Sequence, residues 1–354
     1  MRQSSGPLVR AAALLCGLLL ACGAQARMES LDDSELSNIT GQAMLTVDAL
    51  TYGAYQYTRL NFGADIGILT NIDELRLGDY ARSGAASGQP ADIQINNFAL
   101  GRVTNANSPD AAVDPFQMRD PFVEFAFKTN ASGIRELAGV RVGFGKALGY
   151  LSGDIQSLSG NLQGKIYGPA SIAYDYYTRN GCPNLVNCLL LAVAGDTEIE
   201  AEVGLVKSGT GEATTIRAEQ IGIPKGTSMN TTDPNSLLAG LIPLLTTANG
   251  CKTLGLDACF NLTNYKSIYI GQPGATDINA GAQGIFFSLQ NQNVPWQDMA
   301  NVGKFVDTQS GAYANFPKVG SGANAVYPIL INLYDALRGL PRQPTCMGAQ
   351  ASGC

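Results

Sequence analysis

The sequence predicts a mainly β fold: antiparallel, an elongated or curved sheet or sandwich, with a few short helices and local disulfides. Apolar and polar residues alternate at period two in several runs, the pattern of a strand with one face in a core. Forty-one glycines, many clustered with Asn and Ser, supply the turns between these runs. Six cysteines beyond residue 26 form three close pairs, Cys182/Cys188, Cys251/Cys259 and Cys346/Cys354. Their spacings are too wide for C-x-x-C redox or zinc-knuckle chemistry, and close pairing with an even count predicts disulfides made in an oxidising compartment.

Residues 1–26 read as a signal peptide. Arg2 and Arg10 give a positive start, Ala11 to Ala24 an apolar run, and Ala24-Gln25-Ala26 a small-x-small cleavage site before Arg27. The apolar run is shorter than the roughly 18 residues that span a bilayer. Leu19-Leu20-Ala21-Cys22 also fits a lipobox, so a lipoprotein anchored through Cys22 is the alternative. The chain is therefore expected to be exported to the periplasm, the outer membrane or the cell surface. Loss of the two leader arginines takes the formal charge from −6 to −8. An acidic chain without histidine has no electrostatic footprint for nucleic acid. A hydrophobic fraction of 45% is ample for a core.

Shortly beyond the leader comes Leu31-Asp32-Asp33-Ser34-Glu35-Leu36-Ser37-Asn38-Ile39-Thr40-Gly41-Gln42. This string resembles the segment after the signal peptide in exported β-rich proteins of gamma-proteobacteria, among them the Fil-type pilus-system proteins. The resemblance implies an appendage-associated envelope protein and carries over no site residue. Locally, the acids before a run ending at Gly41 predict a short helix over residues 29–40.

Strands follow. Leu60, Phe62, Ala64, Ile66 and Ile68 alternate with polar residues or glycine, as do Val123, Phe125 and Phe127 around Glu124 and Ala126, and Val140, Val142 and Phe144 around Arg141 and Gly143. In each run the apolar set is expected to face the core. A faint echo (Ala64-Asp65-Ile66, Ala91-Asp92-Ile93, Gly153-Asp154-Ile155) recurs at unequal intervals and does not make a solenoid. Composition changes near Arg179-Asn180-Gly181-Cys182-Pro183, which divides a β-rich domain, 27–180, from a disulfide-containing β-rich domain, 181–354. Beyond it lie the apolar stretches Leu189 to Ala194 and Leu237 to Leu245, then strand patterns at Glu198 to Leu205 and Ile285 to Val294. Pro328 opens a C-terminal helix expected over 328–339, closed by Gly339 and Pro341.

The absence of histidine removes Ser-His-Asp and Cys-His catalysis and imidazole-bound metals. No G-x-S-x-G elbow, Walker loop, post-strand G-x-G-x-x-G or EF-hand pattern occurs. Three polar or aromatic constellations remain. Asp196, Glu198, Glu200 and Glu202 alternate along one strand face as a solvated stripe or a patch for a cation or basic partner, with Lys207 and Arg217 placed to pair with them. Asn105, Asn107, Asp110 and Asp114 form an oxygen-rich loop that could hold calcium. Tyr52, Tyr55, Tyr57, Tyr174, Tyr176 and Tyr177 cluster in strand-like stretches and could line a binding face, while Trp296 is expected to plug the core of the second half.

No metal or organic cofactor is expected. The sequence reads as a non-enzymatic, exported cell-envelope protein, structural, adhesive or appendage-associated, with envelope or surface proteins as partners. The alternative is a periplasmic or outer-membrane carrier of hydrophobic ligands, suited by low charge and short apolar runs. A transmembrane barrel fits less well, because the strand patterns are unevenly spaced.

Overall fold

Residues 45–82, 91–182, 184–233 and 239–347 are described by a computed structural model, and among them the period-two runs become strands. β1 (Leu45–Tyr52) and β2 (Tyr55–Phe62) form a hairpin whose turn uses Gly53 in the left-handed region, φ 57°. β3 (Asp65–Ile68), β4 (Thr70–Asp79) and β5 (Ala91–Leu100) follow. A small hairpin of β6 (Arg102–Thr104) and β7 (Ala112–Asp114) leads to β8 (Phe116–Thr129) and β9 (Arg135–Leu158).

β9 organises the molecule. Its first half pairs antiparallel with β8, which pairs with β2, giving the order β1–β2–β8–β9. Its second half pairs antiparallel with β5, which pairs with β4. One strand thus serves two sheets, and glycine sits where its backbone must bend. A side chain at Gly153, φ 156°, would meet Ile95 Cγ2 at 2.3 Å.

β10 (Gly160–Leu162) and β11 (Gly164–Pro169) run into α1 (Ala170–Asn180) and α2 (Leu185–Ala194), and β12 (Glu198–Val206) returns along β11. Short elements follow: β13 (Gln220–Gly222), β14 (Asn230–Thr231), the single turn α3 (Ile242–Leu245), β15 (Lys252–Thr253), β16 (Leu256–Asp257) and β17 (Cys259–Asn261). β18 (Ser267–Ile270), β19 (Ala282–Gln283) and β20 (Phe286–Gln290) then pair antiparallel with β9. A hairpin of β21 (Val294–Gln297) and β22 (Phe305–Thr308) precedes β23 (Gly311–Phe316), β24 (Ile329–Asn332) and α4 (Leu333–Arg338). Among the described strands two pairings are parallel, β10 with β23 and β11 with β24, and the other strand pairings are antiparallel.

The division expected at residue 180 is not a division of the fold. β18, β19 and β20 lie against β9, and the C-terminal segment returns to the first strands, with Val103 N donating to Pro344 O at 2.7 Å and Asn71 Nδ2 to Thr345 O at 3.1 Å. Ala43–Cys354 is one compact unit. The composition change at 180 marks an inserted helical hairpin instead. The tyrosines at 174, 176 and 177 therefore lie on a helix and not on a strand. The C-terminal helix begins at Leu333, because Ile329–Asn332 is taken up as β24; Gly339, φ 84°, closes it as expected. The run at Ile285 to Val294 divides into β20 and β21. The signal peptide and the helix expected over 29–40 fall outside the described residues.

The disulfides Cys182–Cys188 and Cys251–Cys259 are present, with Cα–Cα separations of 6.2 and 5.0 Å. Each is a local staple, the first joining α1 to α2 and the second tying the β15–β16 hairpin to β17. Cys346 is also disulfide-bonded; its expected partner Cys354 lies outside the described residues.

The largest departure concerns which face of the sheet is inside. The alternation in β2, β8 and β9 is as read, but the polar-containing set faces inward. Arg59, Glu124 and Arg141 stand opposite one another across three strands. Arg141 is 0% exposed whereas its neighbour Val142 is 43% exposed. The cause is the β21–β22 hairpin, which covers that face and makes a second core of Tyr57, Ala126, Phe286, Trp296 and Tyr313. Trp296 accordingly packs against both halves of the chain, not within the second alone. The outward face carries Val47, Leu60, Val123 and Val142 in register across four strands.

Candidate functional site

Two acids of the stripe, Glu200 and Glu202 on β12, pair with lysines, though not with the expected partners. Lys165 Nζ reaches Glu200 Oε2 at 2.7 Å, and Glu202 accepts from Lys318 Nζ and from the Tyr327 hydroxyl, the latter at 2.6 Å. Asp196 accepts from Ser171 Oγ at 2.8 Å, and Glu198 is exposed. Lys207 pairs with Glu212 and Arg217 with Asp92, so neither serves the stripe.

Partial burial raises the Glu202 carboxyl, but the hydrogen bonds from Lys318 and Tyr327 outweigh it and hold the group below its usual range. A carboxyl with a lower pKa folded than unfolded stabilises the fold above the unfolded value, about 4.3, and loses that contribution as pH falls through the folded value. Glu202→Gln is therefore expected to cost under about 1 kcal/mol at pH 7, given its exposure. The difference from wild type should shrink at about pH 3 in urea unfolding. An equal difference at both pH values would contradict this account.

In the oxygen-rich loop, Asp114 is bound to Arg102, Nε to Oδ2 at 2.8 Å. Asn105 adopts φ 50° and its carbonyl accepts from Ser108 N, as turn residues do. Asn107 and Asp110 are exposed. Among the described residues no three His, Cys, Asp or Glu side chains converge as a metal site.

The best-formed site is one the sequence reading did not assemble. α1 starts beyond Pro169 and presents Ala170, Ala173 and Tyr177, spaced three and four apart, to the sheet. The Cys182–Cys188 bridge turns the chain back into α2, whose first turn is capped by Asn184 Oδ1 accepting from Val186 N at 2.9 Å. α2 buries Cys188 and Leu191 and ends at Gly195, φ 53°. Beneath this hairpin lies a cavity of about 220 Å³. Its floor is Ile166 and Ile199 on β11 and β12; α3, the β15–β16 hairpin and Leu333 and Leu337 of α4 complete the wall.

The wall is apolar and its few polar atoms are engaged elsewhere. Thr246 Oγ1 donates to Ile242 O and Thr253 Oγ1 to Thr246 O, each at 2.6 Å. The Tyr177 hydroxyl accepts from Asp257 N at 3.0 Å, and burial pushes it up to about 12. Asp257 pairs with Lys252. A space lined this way favours apolar matter over water; an apolar cavity of about 150 Å³ already binds benzene.

Two sequence signals pointed here. The stretches Leu189 to Ala194 and Leu237 to Leu245 are too short to span a membrane, and their described parts, in α2 and around α3, border this cavity. Tyr177, grouped above with sheet aromatics, is in its wall. No described helix is long and apolar enough to cross a membrane.

Residues 7–113 match a family of unknown function, DUF6160. The described part of that stretch comprises β1 to β6 and the start of β7, apart from the cavity. No curated protein and no solved structure matches the chain.

Proposed function

We propose that this is a non-enzymatic, exported cell-envelope protein that carries a hydrophobic ligand, holding a segment of an acyl chain or similar apolar group in the cavity under α1 and α2. The observation that supports it is the apolar wall: about 220 Å³ of space with no buried side-chain nitrogen or oxygen left unpaired among its described lining residues. Leader, disulfides and the segment at 31–42 support export and an envelope setting. The size suits part of a ligand rather than a whole lipid, since sites for entire small molecules run to roughly 300–1,000 Å³.

A fluorescent fatty acid titrated into the purified, oxidised protein is expected to give saturable binding that unlabelled fatty acid displaces. Leu191→Phe, which narrows the cavity, should weaken it several-fold. Binding that is absent, or indifferent to this substitution with the fold intact by circular dichroism, would remove the carrier reading. Fractionation of expressing cells with mass spectrometry of the mature N-terminus tests export. A start at Arg27 is expected in the soluble form and a lipidated Cys22 in the anchored one.

A second reading, a structural or appendage-associated role, is favoured by the outward face of β1, β2, β8 and β9, where Leu45, Val47, Phe62, Leu137 and Val142 are exposed. An apolar sheet face of this kind suits an envelope protein partner.

A further inference from the structure

α2 is apolar on its outside as well as its inside. Cys188 and Leu191 face the core, yet Leu185 is 83% exposed, and Val186, Leu189 and Val193 are exposed too. Around α3 the same is true of Leu241, Leu244 (77% exposed) and Leu245. A helix that is hydrophobic all round belongs inside something, and nothing among the described residues covers this one.

Three residues, Val193, Leu241 and Leu245, belong both to the exposed set and to the cavity wall, so the exposed collar surrounds the mouth of the cavity. The collar is uncharged: no Asp, Glu, Lys or Arg occurs in 185–194 or 239–248. Cations stand next to it. Arg179 is exposed in the last turn of α1, just before the disulfide that leads into α2. Lys225 is exposed two residues beyond the wall residue Ile223. Neither makes a salt bridge among the described residues.

We infer that this collar docks the protein on a lipid surface, with α2 and the turn at α3 inserted among acyl chains and Arg179 and Lys225 against headgroup phosphates. Apolar side chains backed by flanking cations complement the two layers of a phospholipid monolayer, hydrocarbon below and anionic phosphate above. A protein partner draws its orientation from hydrogen-bonding or charged groups around an apolar patch, and within the collar Thr247 is the one exposed polar side chain among the described residues of 185–194 and 239–248. Docking in this pose sets the cavity mouth against the membrane, so that a chain passes between bilayer and cavity without crossing water. That last consequence rests on the carrier reading; the docking itself does not.

The test is flotation of the oxidised, mature protein with phosphatidylcholine vesicles and with vesicles containing phosphatidylglycerol, alongside fatty-acid titration of the same samples. Leu189 and Leu244 are exposed and do not line the cavity. The neutral double variant Leu189→Asn/Leu244→Asn is expected to keep fatty-acid binding while its vesicle partition falls about tenfold or more on both lipids. Arg179→Gln/Lys225→Gln should weaken binding to the anionic vesicles only. Val47→Asn, on the exposed sheet face, should change nothing. The inference is overturned if the wild-type protein ignores vesicles, if the double variant floats as wild type does, or if Val47→Asn is as damaging. A wild-type protein that binds fatty acid but ignores vesicles leaves the carrier standing without the docking; one that floats but binds no fatty acid leaves the docking standing without the carrier.

Discussion

Glu124→Gln is expected to destabilise the protein by about 3–5 kcal/mol, the usual cost of removing one member of a buried ion pair. Glu124 is 1% exposed and is the sole carboxylate between two buried arginines. Arg59 Nη2 lies 3.1 Å from Oε1, and Arg141 Nε donates to Oε2. The remaining partners come from the covering hairpin: Gln297 Oε1 at 2.7 Å from Arg59 and Gln297 O at 2.8 Å from Arg141. Arg141 also lies against the rings of Phe122, Phe286 and Trp296. Burial lowers its guanidinium to about 10, against the opposing pull of Glu124. Glutamine keeps the shape and removes the charge, leaving two desolvated cations side by side. A triple replacement, Arg59→Met/Glu124→Leu/Arg141→Met, should recover much of the loss, because it removes the charges together with their desolvation cost. Urea unfolding measures both. A loss under about 1 kcal/mol for Glu124→Gln would mean that the row is wet and not a core.

That row also explains what could and could not be read in the sequence. Period two was visible at Val123 to Phe127 and at Val140 to Phe144, and strands are there. What alternation cannot say is which face is covered. Glu124 and Arg141 look like solvent residues until the register places them opposite each other and the β21–β22 hairpin over them, and that hairpin is more than 150 residues distant in sequence. Local disulfides were legible because spacing limits them. The helical hairpin was less so: Leu189 to Ala194 has no charge to reveal a periodicity, so an apolar helix and a buried strand look alike. Of the cavity only the two short apolar stretches that border it were legible, since its wall gathers residues from Ile166 to Leu337.

The same argument applied to a second buried cluster makes Asp92→Asn the second costly substitution, again about 3–5 kcal/mol. Asp92 is fully buried. Its Oδ1 accepts from Arg82 Nη1 at 2.7 Å and Arg217 Nε at 2.9 Å, and its Oδ2 from Ala312 N at 3.0 Å. It thereby ties β5 to β23 and to the loop between β12 and β13. Three donors converge on two oxygens, so an amide must turn its NH₂ toward at least one of them and meet donor with donor. The site cannot relax around the change. Side chains at Gly78 and Gly311 would already come within 2.4 and 2.0 Å of the carboxylate, so the backbone closes it in on two sides. Arg217 is held further by the Tyr80 carbonyl, which accepts from its Nη2 at 2.7 Å, and by its own φ of 41°. The arginine cannot swing out to water without unfolding that loop. The expected result is a lower urea midpoint with an unchanged slope, and a cost that adds to that of Glu124→Gln, since the two clusters share no residue. A double variant less destabilised than the sum would show that the two clusters are coupled through Ala312, Leu289 and Val140, which stand opposite one another on β23, β20 and β9.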